Sequence, residues 1–436
     1  MMSSDVRSMS RGRVGRRDFL WVGSAGLLGL TAGEFAQRKA WAGPEQGKPV
    51  ARNVIQIFLT GGPATIDMWD LKPEAPEKIR GEFRPIETSA PGVQISEQMP
   101  LLAKQMHLAT LVRSVAHTIA EHTQGQAYVM TGNRPRPAVE SPSLGSLSAA
   151  LWPSNRGIPS NMTLGRVPSA SAGELGAVFN PFELTVADDR GPQSGAETIG
   201  LPEGFSVTDL DRRRQVLDKL DERMNRTGSS GTAGQLKQFQ QDALEILRSD
   251  RIRAALDVSR EPEATRNPFG NSTVGRSALV ARRLLEAGAR FVTIGFGDWD
   301  THDNNFTRLR NTLLPQLDQA LSALLADLAE RGLLQETIVY CAGEFGRTPG
   351  INSNAGRDHW SRAMTVLLAG GGFRPGLAWG ATDELGSDPV DHACSPDDVS
   401  ATIFQQLGFA PSKQVQAASG RVIPLFRNGT VLRDLV

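Results

Sequence analysis

Asn53-Val-Ile-Gln-Ile-Phe-Leu59 runs into Gly61-Gly62-Pro63, and the reading of that junction decides the class of fold. A short run of β-branched and aromatic apolar residues describes a buried strand, and the Gly-Gly-Pro behind it ends the strand in a loop. Runs of the same kind recur at Leu108–Val112, Phe291–Phe296, Thr337–Ala342 and Met364–Leu368. Helical patterns separate several of them. That alternation predicts an α/β fold of three layers, αβα, in which helices cover both faces of a mostly parallel central sheet.

The helical patterns are Asp209–Asn225, Leu236–Val258, Gly275–Ala287 and Phe306–Arg331. In the last, Leu309, Leu313, Leu317, Leu321, Leu324, Leu325 and Leu328 form a one-sided stripe suited to packing on a sheet. Thr227–Gly234 (T-G-S-S-G-T-A-G) reads as a flexible link inside a charged helical insertion, about 209–258, expected to cap the sheet. Residues 133–206 are rich in Pro and Gly and read as a long irregular excursion of the same domain, which spans 43–436.

Lys plus Arg equal Asp plus Glu at 47 each, so no global field attracts nucleic acid. Cys341 and Cys394 are the only cysteines; they exclude a disulfide scaffold and a Cys-rich zinc site, and leave either one bridge or two buried thiols. The first 42 residues read as a twin-arginine signal peptide: Arg16-Arg17 in a basic stretch, a weakly apolar run from Leu20 to Gly33, and Ala40-Trp41-Ala42 as the cut site. The apolar run is too short for a stable membrane span, which needs about 20 residues. The expected address is periplasmic or extracellular, with the twin-arginine translocase as a partner during export.

Polar residues bunch just after the strand-like runs, where α/β sheets place their ligand sites. The segments are Gly61–Asp67 (G-G-P-A-T-I-D), His117–Thr123 (H-T-I-A-E-H-T), Gly297–Asn305 (G-D-W-D-T-H-D-N-N), Gly343–Pro349 (G-E-F-G-R-T-P) and Gly356–Trp360 (G-R-D-H-W). Of six histidines, His117, His122, His302 and His359 lie in these segments, while His107 and His392 read as structural. Imidazole mixed with carboxylate suits Zn²⁺, Mn²⁺ or Fe, and carboxylate alone suits Ca²⁺ or Mg²⁺. The expected cofactor is therefore a divalent ion, Zn, Mn, Fe or Ca, one or two in number. Asp300 and His302 are two apart and so share a side of an extended segment. Each position also has a plainer reading: Asp67 as a cap, Glu344 as the partner of Arg347, and Asp358-His359 as a turn with Trp360 packed behind it.

The same stretches, with R-R-D-F-L, M-T-G-N-R-P, A-R-R-L-L-E-A-G-A-R-F-V-T and L-L-A-G-G-G, resemble the domain-of-unknown-function 1501 family over nearly the whole chain. The resemblance implies a distant branch of the alkaline phosphatase and sulfatase superfamily, and hence an alkaline-phosphatase-like fold with metal ions at the carboxyl ends of the strands. It implies metal ligands at Asp67, Asp300 (or Asp298), His302, Glu344 and His359. It also puts His122, followed by Thr123, where such enzymes carry their nucleophile. Two residues depart from that pattern. Phe345 replaces a ligand, and His122 cannot form an ester intermediate, so His122 becomes a candidate ligand and Thr123 or a bound hydroxide a candidate attacker. Arg347 and Arg357 are candidates to hold the anionic group. The expected activity is hydrolysis of phosphate or sulfate esters of a small molecule or polysaccharide; the alternative is a non-catalytic exported binding or envelope-associated protein that keeps the fold.

Overall fold

Eight strands build the central sheet: β1 (Asn53–Leu59), β2 (Ala109–Val115), β3 (Asn161–Leu164), β4 (Phe182–Leu184), β5 (Phe291–Phe296), β6 (Thr337–Ala342), β7 (Met364–Ala369) and β8 (Leu377–Trp379). Their order across the sheet is β8-β2-β7-β6-β1-β5-β3-β4. The computed structural model describes residues 49–152, 158–186 and 249–436. The expected signal peptide, the expected Thr227–Gly234 link and residues 209–248 of the expected cap fall outside the described residues; within 249–258 the chain forms a helix at Asp250–Leu256.

β1 is central because its residues are buried on both sides and, Asn53 and Gln56 apart, apolar. It pairs in parallel with β5 on one flank and β6 on the other, Val54 lying opposite Phe291 and Ile338. β3 and β4, both drawn from the 133–206 excursion, extend the parallel array beyond β5. β7 alone in this sheet runs against its neighbours, pairing antiparallel with β2 and β6.

Among the described residues five longer helices pack on the sheet: α1 (His122–Thr131), α2 (Leu144–Leu151), α3 (Thr273–Ala287), α4 (Leu314–Glu330) and α5 (Pro396–Gln406). Ile55, Ile57 and Leu59 of β1 point into the same core as the apolar faces of α3 and α4. Leu317, Leu321, Leu324, Leu325 and Leu328 of α4 are all fully buried there. At about 2 kcal/mol each, these leucines contribute of order 10 kcal/mol, so packing rather than intrinsic propensity holds α4 in place. The opposite face of β1 carries Gln56, whose side chain reaches Met130 of α1 at 3.5 Å. The Tyr128 hydroxyl ties α1 to Asp397 of α5. Helices thus cover both faces, as the alternating pattern predicts.

Caps set the helix starts. Ser272 accepts from the Gly275 amide at the head of α3, and Ser395 with Asp398 forms a capping box at the head of α5, with Pro396 in the first helical position. Cys341 and Cys394 are free thiols, both buried. Burial raises both, Cys394 to about 12, so neither is reactive at neutral pH. No helix among the described residues is long and apolar enough to cross a membrane.

β1, β2, β5 and β6 share one direction, so their carboxyl ends open on one edge. Because β7 runs the other way, the segment entering it arrives at that same edge. Part of that segment, His359–Trp360, pairs antiparallel with Gly346–Arg347 beyond β6.

Candidate metal centre

Loop geometry at this edge depends on two glycines. Gly61, after β1, has φ +118°, and a Cβ there would lie 2.5 Å from the Asp300 amide nitrogen; the bare backbone lets the first loop press on the loop after β5. Gly356 performs the same service for the segment before β7, where a Cβ would meet the His302 carbonyl oxygen at 1.9 Å. After β6 the chain passes through Glu344 and Phe345, both fully buried. After β2 it crosses to α1, whose first turn is capped by Glu121 accepting from the amides of Thr123 and Gln124 at 2.9 and 3.0 Å.

These loops bring His122, Asp300, His302 and His359 to one place. His302 Nε2 lies 2.9 Å from His359 Nε2 and 3.1 Å from Asp300 Oδ1, and His359 Nε2 lies 3.3 Å from the same oxygen. His122 Nε2 lies 3.4 Å from Asp300 Oδ2. The donor atoms of His122, Asp300 and His359 all fall within 4.8 Å of one another. A divalent ion holding nitrogen and oxygen ligands at roughly 2.0–2.2 Å keeps neighbouring ligand atoms about 3.0–3.5 Å apart, which is this spacing.

The second nitrogen of each ring fixes where its hydrogen sits. His122 Nδ1 meets Glu344 Oε1 at 2.7 Å, His302 Nδ1 meets Asp358 Oδ1 at 2.7 Å, and His359 Nδ1 meets the Ala120 carbonyl at 2.9 Å. Carboxylates and carbonyls only accept, so all three Nδ1 atoms donate and, in the neutral rings, all three Nε2 atoms present a lone pair. Protonating both His302 and His359 would set two N–H groups head to head across 2.9 Å. Burial lowers the His359 pKa, countered by the Ala120 carbonyl and reinforced by the charges of Arg347 and His122. Burial alone would raise Asp300, but the hydrogen bond and charge of Arg347, with His302 and His122, bring its carboxyl down to about 2. With the rings neutral, their Nε2 lone pairs thus gather on an ionised carboxylate. A cation between them resolves that repulsion, so the residues present fit a divalent metal ion.

Residues 51–436 match the family model described as "Protein of unknown function (DUF1501)". The chain belongs to the DUF1501 family. No curated protein matches it in sequence. Solved structures similar to this DUF1501 protein include the PsFucS1 sulfatase from Pseudoalteromonas sp., at 11% identity and a TM-score of 0.36 over 87% of this chain and 72% of that one. Another is alkaline phosphatase from the Antarctic bacterium TAB5, at 12% identity and a TM-score of 0.35 over 74% and 92%. A third is a 2-O GAG sulfatase, at 10% identity and a TM-score of 0.37 over 89% and 74%.

The remaining site residues of the DUF1501 chain take other positions. Asp67 is buried, and both its oxygens are engaged by Arg357, from Nε and Nη2 at 2.7 Å each; Asn305 adds a third bond at 2.8 Å. That pairing, rather than the donor cluster, is where the structure places Asp67. Glu344 sits behind the cluster. It accepts from the Gly61 amide at 3.0 and 3.1 Å and from Gln126 at 3.0 Å, and its bond to His122 makes it a support for that ring. Arg347, which the plainer reading of Glu344 made its partner, pairs instead with Asp300, and donates to the carbonyls of Gly61, Gly62 and Arg357. Arg347 and Arg357 are both fully buried, so neither guanidinium offers an open face to a substrate anion. Thr123 is exposed on the first turn of α1, and Asp298 is exposed in the loop after β5. His117 donates from Nε2 to the Glu344 carbonyl at 2.8 Å and accepts the Ile119 amide at Nδ1, which makes it a brace between two loops. Sequence reasoning passes over Asp358 and Gln126 as supports; Asp358, next to His359 in a Gly-flanked loop, is the one the sequence could have flagged.

Proposed function

We propose that this DUF1501 protein is an exported, metal-dependent hydrolase of phosphate or sulfate esters, acting on a small molecule or a polysaccharide. The observation that carries the reading is the gathering of imidazoles on the Asp300 carboxylate, with His122 Nε2 at 3.4 Å, His302 Nε2 at 3.1 Å and His359 Nε2 at 3.3 Å, and every Nδ1 held by an acceptor. His122, Asp300, His302 and His359 would hold one divalent ion. Bound there, such an ion polarises a phosphoryl or sulfuryl oxygen and lowers the pKa of a water molecule to about 7, supplying hydroxide at neutral pH.

The chain's own residues have separable tasks. Glu344 orients His122, and Asp358 orients His302. Arg347 keeps Asp300 ionised and fixed. Phe345, fully buried, lies under the rings of His122 and His359 with centroids at 5.2 and 4.6 Å, which keeps water from the underside of the site. The mouth is open: the side chains of Asp300 and His302 are 45% and 42% exposed, enough for an ester to approach.

One observation favours the non-catalytic reading instead. Among the described residues no hydroxyl or thiol hydrogen-bonds to the four donor side chains, and Arg347 and Arg357 face inward. Metal analysis of the purified mature protein, with assays on aryl phosphate and aryl sulfate, separates the readings. We expect about one ion per chain and ester hydrolysis that His302→Ala and His359→Ala each reduce at least ~100-fold. A metal-free protein inactive on both esters leaves only the binding role. Export rests on Arg16-Arg17 and the Ala40-Trp41-Ala42 cut site. Changing both arginines to lysine should hold the precursor in the cytoplasm, and unchanged secretion would refute the twin-arginine route.

A further inference from the structure

The backbone at 120–122 bridges two of the four donors. The Ala120 carbonyl holds His359 Nδ1 at 2.9 Å, and His122 reaches Asp300 at 3.4 Å; the His122 and His359 rings meet edge to face with centroids 4.3 Å apart. Glu121, between them, is exposed, and its carboxylate lies across the start of α1. Oε1 accepts the Thr123 amide at 2.9 Å and Oε2 the Gln124 amide at 3.0 Å.

Two N–H groups in the first turn of a ten-residue helix, beside a residue that can hold the ion, form a natural cradle for the outer oxygens of a tetrahedral ester. Here a carboxylate of the chain itself fills that cradle. The nearby cations that could offset its charge are committed elsewhere. Arg357 pairs with Asp67 and Arg347 with Asp300, both arginines being buried, and Arg308 donates to the carbonyls of Asp298 and Asp300 at 2.6 and 3.0 Å. An exposed glutamate is ionised at neutral pH, so an ester approaching the donors meets a fixed negative charge. Repulsion by a fixed charge doubles when the charge of the ligand doubles. We infer that Glu121 is a specificity-determining residue that disfavours dianions, so that the site takes tetrahedral esters of single negative charge, a sulfate monoester or a phosphate diester, ahead of a phosphate monoester. Calling these ligands substrates rests on the hydrolase reading; their binding needs only the ion.

The test titrates three ligands into the Zn²⁺-loaded mature protein by calorimetry, and then assays their hydrolysis. Well above the second phosphate pKa of about 6, nitrophenyl phosphate carries two charges, whereas nitrophenyl sulfate and bis-nitrophenyl phosphate carry one each. We expect the wild type to bind at least one of the two monoanions more tightly than the dianion, and the tighter of the two names the ester class. Glu121→Gln keeps an acceptor on the helix start and removes the charge. It should move the ratio of dianion to monoanion binding at least ~3-fold toward the dianion, an effect that fades at high salt. Glu121→Asp, which keeps the charge, should hold the wild-type ratio. So should Glu336→Gln, which removes a charge at the opposite edge of the sheet, just before β6. Melting curves confirm that each variant is folded. An unchanged ratio in Glu121→Gln, or no binding of any ligand by the wild type, overturns the inference. A gain by equal factors for all three ligands overturns it too, and marks Glu121 as a plain block on the two amides. If the binding ratios behave as expected and no ligand is hydrolysed, the hydrolase reading falls and the charge preference stands.

Discussion

Glu344 has no exposed surface, and its two oxygens take bonds from Gly61, Gln126 and His122. Glutamine keeps the shape but turns an NH₂ group toward donors. Glu344→Gln should therefore weaken Zn²⁺ binding about 10- to 100-fold in a chelator-competition titration, with little change in melting temperature. An unchanged affinity would remove Glu344 from the support of the site. Asp67 makes the contrasting case. Asp67→Asn leaves the Arg357 guanidinium buried and unpaired, at a cost of about 3–5 kcal/mol by urea denaturation, while metal content should be retained. Loss of the ion with stability intact would instead make Asp67 a ligand. From the sequence Asp67 reads equally as ligand or cap. Nothing in its spacing discloses an arginine 290 positions away. That His302 and Asp300 stand together was legible, because a two-residue spacing carries its own geometric meaning, and His302 Nε2 lies 3.1 Å from Asp300 Oδ1.

The loops between elements are as restrictive as the residues they carry. Gly61→Ala places a Cβ 2.5 Å from backbone at φ +118°, whereas Gly92→Ala, at φ +77°, meets nothing within 4 Å. The first should cost roughly 2–4 kcal/mol and reduce metal affinity, and the second about 1 kcal/mol with affinity untouched. Similar melting curves for the two variants would show that the contact between the first loop and Asp300 is dispensable. At this scale the long apolar strands β1, β5, β6 and β7 are plain in the sequence, since each is a run of six or seven residues of which at least four are buried. β3, β4 and β8, of four, three and three residues, are not. They lie at the sheet margins, where pairing with a formed neighbour, rather than their own pattern, makes them strands. For the same reason the 133–206 excursion reads as irregular although it completes one side of the sheet.

For the whole molecule, acid should act through His117. Burial first, with the Arg134 charge and against the Glu344 carbonyl, lowers its pKa from 6.5 to about 4. The unfolded chain therefore binds this proton first: stability is full above pH 6.5 and declines by up to about 3 kcal/mol as pH falls toward 4. Urea denaturation at pH 7.5 and 4.5 should show a smaller loss for His117→Gln than for wild type; identical losses would contradict the assignment. Metal should act in the opposite sense, Zn²⁺ at a hundred times its Kd adding about 2.7 kcal/mol, seen as a higher melting temperature that His359→Ala abolishes. The reversed direction of β7 has a consequence for biosynthesis. Of the four donors, His359 is translated last, and it reaches the others only when the strand after it slots between two strands already made. A ribosome-bound fragment stopped before that point has three donors and nothing to close them. Ion capture would thus report that β7 has docked, and a protein unable to take up the ion would mark one whose β7 has not.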